Sequence, residues 1–329
     1  MNSTGLAEPM MDDVCLALEA MATRFELVLK GCGGVDLRAA GEEALAEIAR
    51  LESHMSFYRA DSDVTWINAH AAHRPVKVEP ELFRLLQRCQ ELSAATEGAF
   101  DITIGPLMRA WRFVDDNGAV PAGAELARAR QSVGYRHLVL DPASSTVRFA
   151  RQGMSIDLGS AAKGYAIDKA IGILRAHGTT GALLHGGTSS VHVVGPPRGE
   201  AAWQVAWRSG QAGSSTFALR NCALSVSAVH GKAFSRNGHQ YGHVMDPRSG
   251  QPTECAASAV VWGPASLECD GLSTALLVLG AEWIPTLRTR FPSYDGAVAA
   301  REGCRSEPVM GSAGTCPQPA YTSSSRERW

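Results

Sequence analysis

Five short apolar runs follow one another near the middle of the chain: Ala182 to Leu184, Val191 to Val194, Trp203 to Trp207, Phe217 to Leu219 and Ala223 to Val226. Each is too short for a packed helix and is bounded by turn or polar residues, so the runs argue for consecutive strands of a sheet. Ala257 to Trp262 predicts a further strand. Arg24 to Lys30 places Phe25, Leu27 and Leu29 on one face, as a half-buried strand does, and ordered structure is expected to begin there. Gly41 to Ser53 carries Leu45, Ile48 and Leu51, and Pro80 to Ala95 carries Leu82, Phe83, Leu86, Cys89 and Leu92, so both predict amphipathic helices. Two more are expected over Ser160 to Ala176 and from about Asp270 to Leu279. Met55 to Asn68 shows no clear period, and Tyr135 to Arg151 reads as a hairpin turning at Asp141-Pro-Ala-Ser-Ser145.

Strands and helices intermingle with no repeat and no clean linker, which predicts one large mixed α+β domain over 14–300. A polar arm (1–13) precedes it, and a tail (301–329) of mostly Ser, Gly, Pro and charged residues is expected to be disordered. Thirty-one basic and 33 acidic side chains give a formal charge of -2, which argues against a nucleic-acid binder or a polybasic membrane surface. No apolar run approaches the roughly 18 residues of a membrane span. The opening MNSTGLAEPMMDDV carries no basic region followed by an apolar one, so the chain as written is expected in the cytoplasm, or in the periplasm if its true start lies upstream. The 8 cysteines form no CxxC pair and read as reduced thiols.

Several short segments carry chemistry. Asp157-Leu-Gly-Ser-Ala-Ala-Lys-Gly-Tyr-Ala-Ile-Asp168 places a carboxylate and a small-residue turn before a helix, with Lys163 in its first turn. Such a start favours a phosphate, although an ordinary Ser160 N-cap beside a solvated lysine accounts for the same residues. Asp270-Gly-Leu-Ser-Thr-Ala275 repeats the arrangement at an expected second helix start. Asp270, Ser273 and Thr274 are hard oxygen donors suited to magnesium, or else Asp270 simply caps the amide of Ser273. His243-Val-Met-Asp-Pro-Arg-Ser-Gly250 is turn chemistry that also holds an imidazole. Gly98-Ala-Phe-Asp-Ile-Thr-Ile-Gly-Pro-Leu107 puts an aromatic and a carboxylate on an expected extended stretch, and His185-Gly-Gly187 ends a strand where a ligand can approach the backbone. No GxGxxG, Walker lysine loop, Gly-x-Ser-x-Gly elbow or His-Glu-x-x-His occurs, which removes the common nucleotide and hydrolase motifs.

In this order, and with Met21-Ala-Thr23, Ser56-Phe-Tyr58, Ser62 and Ile67-Asn68 ahead of them, the segments resemble the ApbE family of FAD:protein FMN transferases over about Met21 to Phe291. The resemblance implies an α+β domain with a FAD cleft approached by Met21, Tyr58, Ala99, Phe100, Asp101, Asp157, Lys163 and the Val244 backbone. It implies magnesium near Ser160, Asp270, Ser273 and Thr274, and His243 as the base. The implied reaction moves the FMN half of FAD to a Ser or Thr hydroxyl of an acceptor protein, often a subunit of a membrane redox complex, and releases AMP. Hydrolysis of FAD to FMN and AMP, or a non-catalytic flavin- or metal-binding role, are the competing readings. Ser227-Ala228-Val229 stands where Thr-Ser-Gly is usual, Ala22 stands for a common Gly, and the lipoprotein leader of many relatives is not legible.

Overall fold

The computed structural model describes residues 13–30, 36–114, 118–208, 214–229, 231, 233–254 and 256–300. The expected arm before Asp13 and the expected tail lie outside the described residues.

Seven strands form the central sheet, in the spatial order Val14–Ala20, Thr23–Leu29, Ala182–Gly186, Ser190–Val194, Cys222–Ala228, Ala256–Gly263 and Asp295–Ala300, with every neighbouring pair antiparallel. The first strand among the described residues is Val14–Ala20, one strand earlier than the Arg24 to Lys30 run. Val14–Ala20 is an edge strand whose inward Val14, Leu16, Leu18 and Ala20 alternate with exposed Cys15, Ala17 and Glu19; apolar Cys15 and Ala17 on the outer face hide that alternation in sequence. Phe25, Leu27 and Leu29 point to the core and are fully buried, each contributing roughly 1.5–3 kcal/mol relative to exposure. Ser190–Val194 and Ala256–Gly263 are buried along their whole length because both faces of the sheet are covered.

Three helices cover one face: α1 (Leu37–Met55), α6 (Ala162–Ala176) and α7 (Ser266–Leu279). The opposite face is covered by a hairpin, Trp203–Arg208 with Ser214–Leu219, whose Trp203, Trp207 and Leu219 pack on Val193, Leu224 and Trp262. Around this core sit α2 (Asp63–His70), α3 (Pro80–Ala95), α4 (Gly105–Ala110), α5 (Gly123–Gln131) and α8 (Ile284–Arg290). The expected hairpin is present as Leu138–Asp141 paired with Thr146–Phe149. The result is one mixed α and β domain.

Three sequence expectations are corrected. The aperiodic Met55 to Asn68 stretch contains α2, started by the Ser62 hydroxyl accepting the Thr65 amide at 3.0 Å; only Val64 and Ile67 of that helix are buried, too few to show a period. Ile102–Ile104 is a 3-10 turn leading into α4 rather than part of an extended stretch. The helix expected from Asp270 begins at Ser266, one turn earlier.

Candidate functional site

The site is organised by the contact of α6 and α7. A Cβ at Gly164 would lie 2.3 Å from the Ser266 carbonyl oxygen, so only glycine lets the two helix starts approach this closely. The approach lets each helix cap the other. Asp168 of α6 accepts the amides of Ser266 at 2.7 Å and Leu267 at 2.9 Å, and Asp270 of α7 accepts the amide of Gly164 at 2.7 Å. Buried His192 braces the join, with Nδ1 2.8 Å from the Ser266 hydroxyl and 3.3 Å from Asp168.

Two expectations change here. Asp270 lies in the second turn of α7 and does not cap Ser273, and Ser160 does not cap α6, whose N-cap position is Ala161 with no side-chain bond. The first-turn amides named above are already bonded to carboxylates, so they do not form two bare helix starts facing an anion.

Asp270 is 5% exposed and sits on the buried side of α7. Besides Gly164, its carboxylate accepts the Ser190 hydroxyl at 2.7 Å and the Ser225 hydroxyl. Burial pushes its carboxyl above the ordinary range, while the Lys163 ammonium, the two hydroxyls and the amide pull the other way. Among the described residues no basic group lies within ion-pair distance of it. A cation bound beside such a buried carboxylate would offset the burial that disfavours its charged form.

Oxygens of the right kind gather beside it. The Ser273 and Thr274 hydroxyls lie 3.1 and 3.0 Å from the Asp270 carbonyl oxygen, and the Ser227 hydroxyl of the facing strand lies 2.9 Å from Ser273 Oγ and 3.2 Å from Thr274 Oγ1. Among the described residues no group of three His, Cys, Asp or Glu side chains is placed to bind a metal. A divalent ion here would therefore be held by one carboxylate and neutral oxygens, a donor set that suits magnesium with retained water and a substrate phosphate. Ser160 stands in the turn before α6, half-buried, with no bond to this group.

The segment Met154 to Leu158 ties this cluster to the expected flavin residues. Asn68 clamps it by donating to the Ile156 carbonyl at 2.9 Å and accepting the Ile156 amide at 2.7 Å. The Asp157 amide donates to the Ile102 carbonyl at 2.7 Å, and the Asp157 carboxylate accepts the Gly159 amide at 2.8 Å. Lys163 Nζ reaches the Gly159 carbonyl at 3.5 Å. On the other side Arg109 donates to the Ser155 hydroxyl at 2.7 Å; burial lowers its pKa and nearby Asp157 opposes that. Arg109, Asp157, Lys163 and Asp270 thus alternate in charge along one wall.

Phe100 is buried with its ring against Gly271 and so touches α7 one residue from Asp270. The Asp101 carboxyl faces inward, accepting the Thr103 amide and hydroxyl and the Tyr135 amide at 2.7–2.8 Å, and burial raises its pKa against those bonds. Its side chain organises the loop, and Ala99 is buried beside it. Met21 and Ala22 form the hairpin turn before Thr23 with φ of 52° and 56°, which is the conformation that makes glycine common at position 22. The Met21 amide is held by Glu52 at 2.5 Å, and Tyr58 is 62% exposed.

His243 and Val244 precede a small hairpin, Met245–Asp246 with Gln251–Pro252. The Val244 carbonyl accepts the Thr253 amide at 2.9 Å, and the Thr253 hydroxyl lies 3.2 Å from the Leu277 carbonyl of α7, so this hairpin is fastened to the helix that carries Asp270. A Cβ at Gly231 would sit 3.0 Å from the His243 ring, so a side chain there would press the imidazole aside by a few tenths of an ångström. At the hairpin tip a cavity of about 490 Å³ is lined by Gly98, Asp101, Arg130, Tyr135 and Arg248; Asp157, Lys163 and Asp270 are not on its wall. Asp168, Ser190, Ser225 and Arg109 were not legible as site residues. The signal for the two serines is a hydroxyl at a buried position of a mainly apolar strand.

The model of the ApbE family matches residues 21–296. Among curated proteins, the chain is 31% identical over 277 residues to the FAD:protein FMN transferase of Treponema pallidum (strain Nichols), covering 79% of this chain and 76% of the relative. A FAD:protein FMN transferase of Klebsiella pneumoniae (strain 342) is 30% identical over 251 residues, 73% of this chain and 77% of the relative. Among solved structures, the ApbE protein of Thermotoga maritima MSB8 superposes with a TM-score of 0.81 at 26% identity, over 88% of this chain and 94% of that one. The apo form of the Pseudomonas stutzeri flavinyl transferase ApbE gives 0.80 at 28% identity, over 89% and 92%.

Proposed function

The chain belongs to the ApbE family, and from that premise we propose that it is a FAD:protein FMN transferase which uses magnesium and a Ser or Thr hydroxyl of an acceptor flavoprotein, releasing AMP. The observation that carries the finer reading is the Asp270 group: a buried carboxylate with Lys163 near enough to bias its ionisation, and the Ser227, Ser273 and Thr274 hydroxyls gathered at the next turn of α7. Magnesium held by Asp270, Ser273 and Thr274, with Ser160 at the adjoining turn, would neutralise charge on the pyrophosphate.

The remaining work falls to the chain's own residues. Lys163 and Arg109 supply fixed positive charge on either side of Asp157. The clamped 154–158 segment and the Phe100 loop fix the wall against which the substrate lies, so positioning and charge neutralisation do most of the work. The acceptor hydroxyl oxygen bonds to the phosphorus of the FMN half, the bond from that phosphorus to the bridging oxygen breaks, and AMP leaves with the bridging oxygen. His243 takes the hydroxyl proton at an imidazole nitrogen. The acceptor carries the Ser or Thr, as in a subunit of a redox complex; no described helix of the present chain is long and apolar enough to cross a membrane.

This reading is tested by comparing FAD and FMN affinities with magnesium present. A site that grips the pyrophosphate binds FAD more tightly, and equal affinities contradict it.

A further inference from the structure

Ser227, in the sheet strand that faces α7, places a hydroxyl at the centre of the oxygen cluster. We infer that Ser227 is an additional oxygen donor to the divalent cation, contributed by the sheet and opposing the donors of α7. The inference rests on the magnesium reading above.

Hydrogen-bond bookkeeping carries the argument. A serine or threonine hydroxyl has one proton and two lone pairs. Ser273 Oγ and Thr274 Oγ1 are within 3.1 and 3.0 Å of the Asp270 carbonyl oxygen, the usual outlet for a hydroxyl proton in a helix. With those protons turned back along α7, the strand hydroxyl of Ser227 is the donor across the 2.9 Å gap to Ser273. Its own lone pairs then accept from no described residue, and Thr274 Oγ1, 3.2 Å away, is in the same condition. Oxygen lone pairs converging without protons beside the Asp270 turn of α7 are matched by a cation and not by another donor-poor surface. Ser227 and Thr274 are both half-buried, so the group is reachable from solvent, whereas Ser273 is fully buried behind them.

A purely structural hydroxyl predicts that any residue of similar size serves as well. A ligand predicts that the identity of the donor atom sets the metal preference, because magnesium demands hard oxygen and cadmium favours thiolate. The experiment measures FAD binding by flavin fluorescence while titrating Mg2+ or Cd2+, for wild type, Ser227→Cys, Ser227→Ala and Ser227→Thr, with melting curves of each. The expected result is a rise of at least fivefold in the Mg2+ needed by the Cys and Ala variants, restoration within about twofold by Thr, and a gain of Cd2+ response in the Cys variant alone. Equal Mg2+ and Cd2+ responses in wild type and the Cys variant overturn the inference. Wild-type FAD binding that ignores divalent ions altogether overturns the magnesium reading and this inference with it, while retained dependence with unaltered variants overturns only the role of Ser227. Should the Ala variant fold poorly, the Cys and Thr variants, which keep the side-chain volume, decide the matter.

Discussion

Asp168 and Asp270 are exchanged caps: each carboxylate leaves its own helix and bonds first-turn amides of the other, at 2.7–2.9 Å. The register of the two helices is therefore tied to Asp270, the carboxylate at the centre of the candidate site. Replacing Asp168 by Ala removes the acceptor for two amides and is expected to cost about 1–2 kcal/mol, read as a lower melting temperature. Gly164→Ala should also destabilise, although alanine improves helix propensity by about 1 kcal/mol, because its Cβ would meet the Ser266 carbonyl at 2.3 Å. A Gly164→Ala protein as stable as wild type would show that the helices do not approach as described.

Asp270→Asn keeps the size of the side chain and removes its charge. The Mg2+ concentration giving half-maximal transfer is expected to rise at least tenfold, and the increase in melting temperature that Mg2+ with FAD confers should vanish. Overlapping magnesium titrations for the two proteins would remove Asp270 from the site.

For His243→Ala, the account expects FAD affinity within a few fold of wild type and transfer lowered by roughly 10²–10⁴, the range a positioned base supplies. Separate measurement of FAD binding and single-turnover transfer distinguishes this from a structural role, which would weaken both together.

Glu81 offers a test of stability that does not involve the site. Partial burial works against its ionisation, but bonds from Lys169 and Arg50 outweigh it and bring the carboxyl down from 4.5 to about 2. A depressed carboxyl stabilises the fold above its unfolded value and loses that contribution as pH falls through the folded one. Melting temperatures of wild type and Glu81→Gln should therefore differ near neutrality and converge between about pH 4.5 and 2. A constant gap across that window would contradict the linkage.

Legibility in the sequence followed burial. Phe25, Leu27 and Leu29, and the Pro80–Ala95 helix, were readable because each presents one apolar face to the core at its own period. α5 has no buried residue and α2 has two, so neither writes a pattern. Asp270 was identified as chemistry, yet its place in the second turn of α7 was not, because Ser266 to Cys269 look like loop residues until Asp168 is known to cap them from another helix. Asp168 stood in the quoted motif without a role for the same reason: its partners are 98 and 99 residues away. Ser190 and Ser225 meet Asp270 only through the pairing of their two strands.

Transfer itself is the claim on which the rest depends. The protein is incubated with FAD, Mg2+ and a candidate acceptor flavoprotein, and intact-mass spectrometry of the acceptor is paired with chromatography of the nucleotides. The account predicts an acceptor heavier by one FMN bound through a Ser or Thr, with AMP formed in equal amount and both reduced in Asp270→Asn at the magnesium level that just saturates wild type. Free FMN and AMP with an unmodified acceptor would mean that water, and not a protein hydroxyl, takes the FMN. An unmodified acceptor with intact FAD would contradict catalysis altogether.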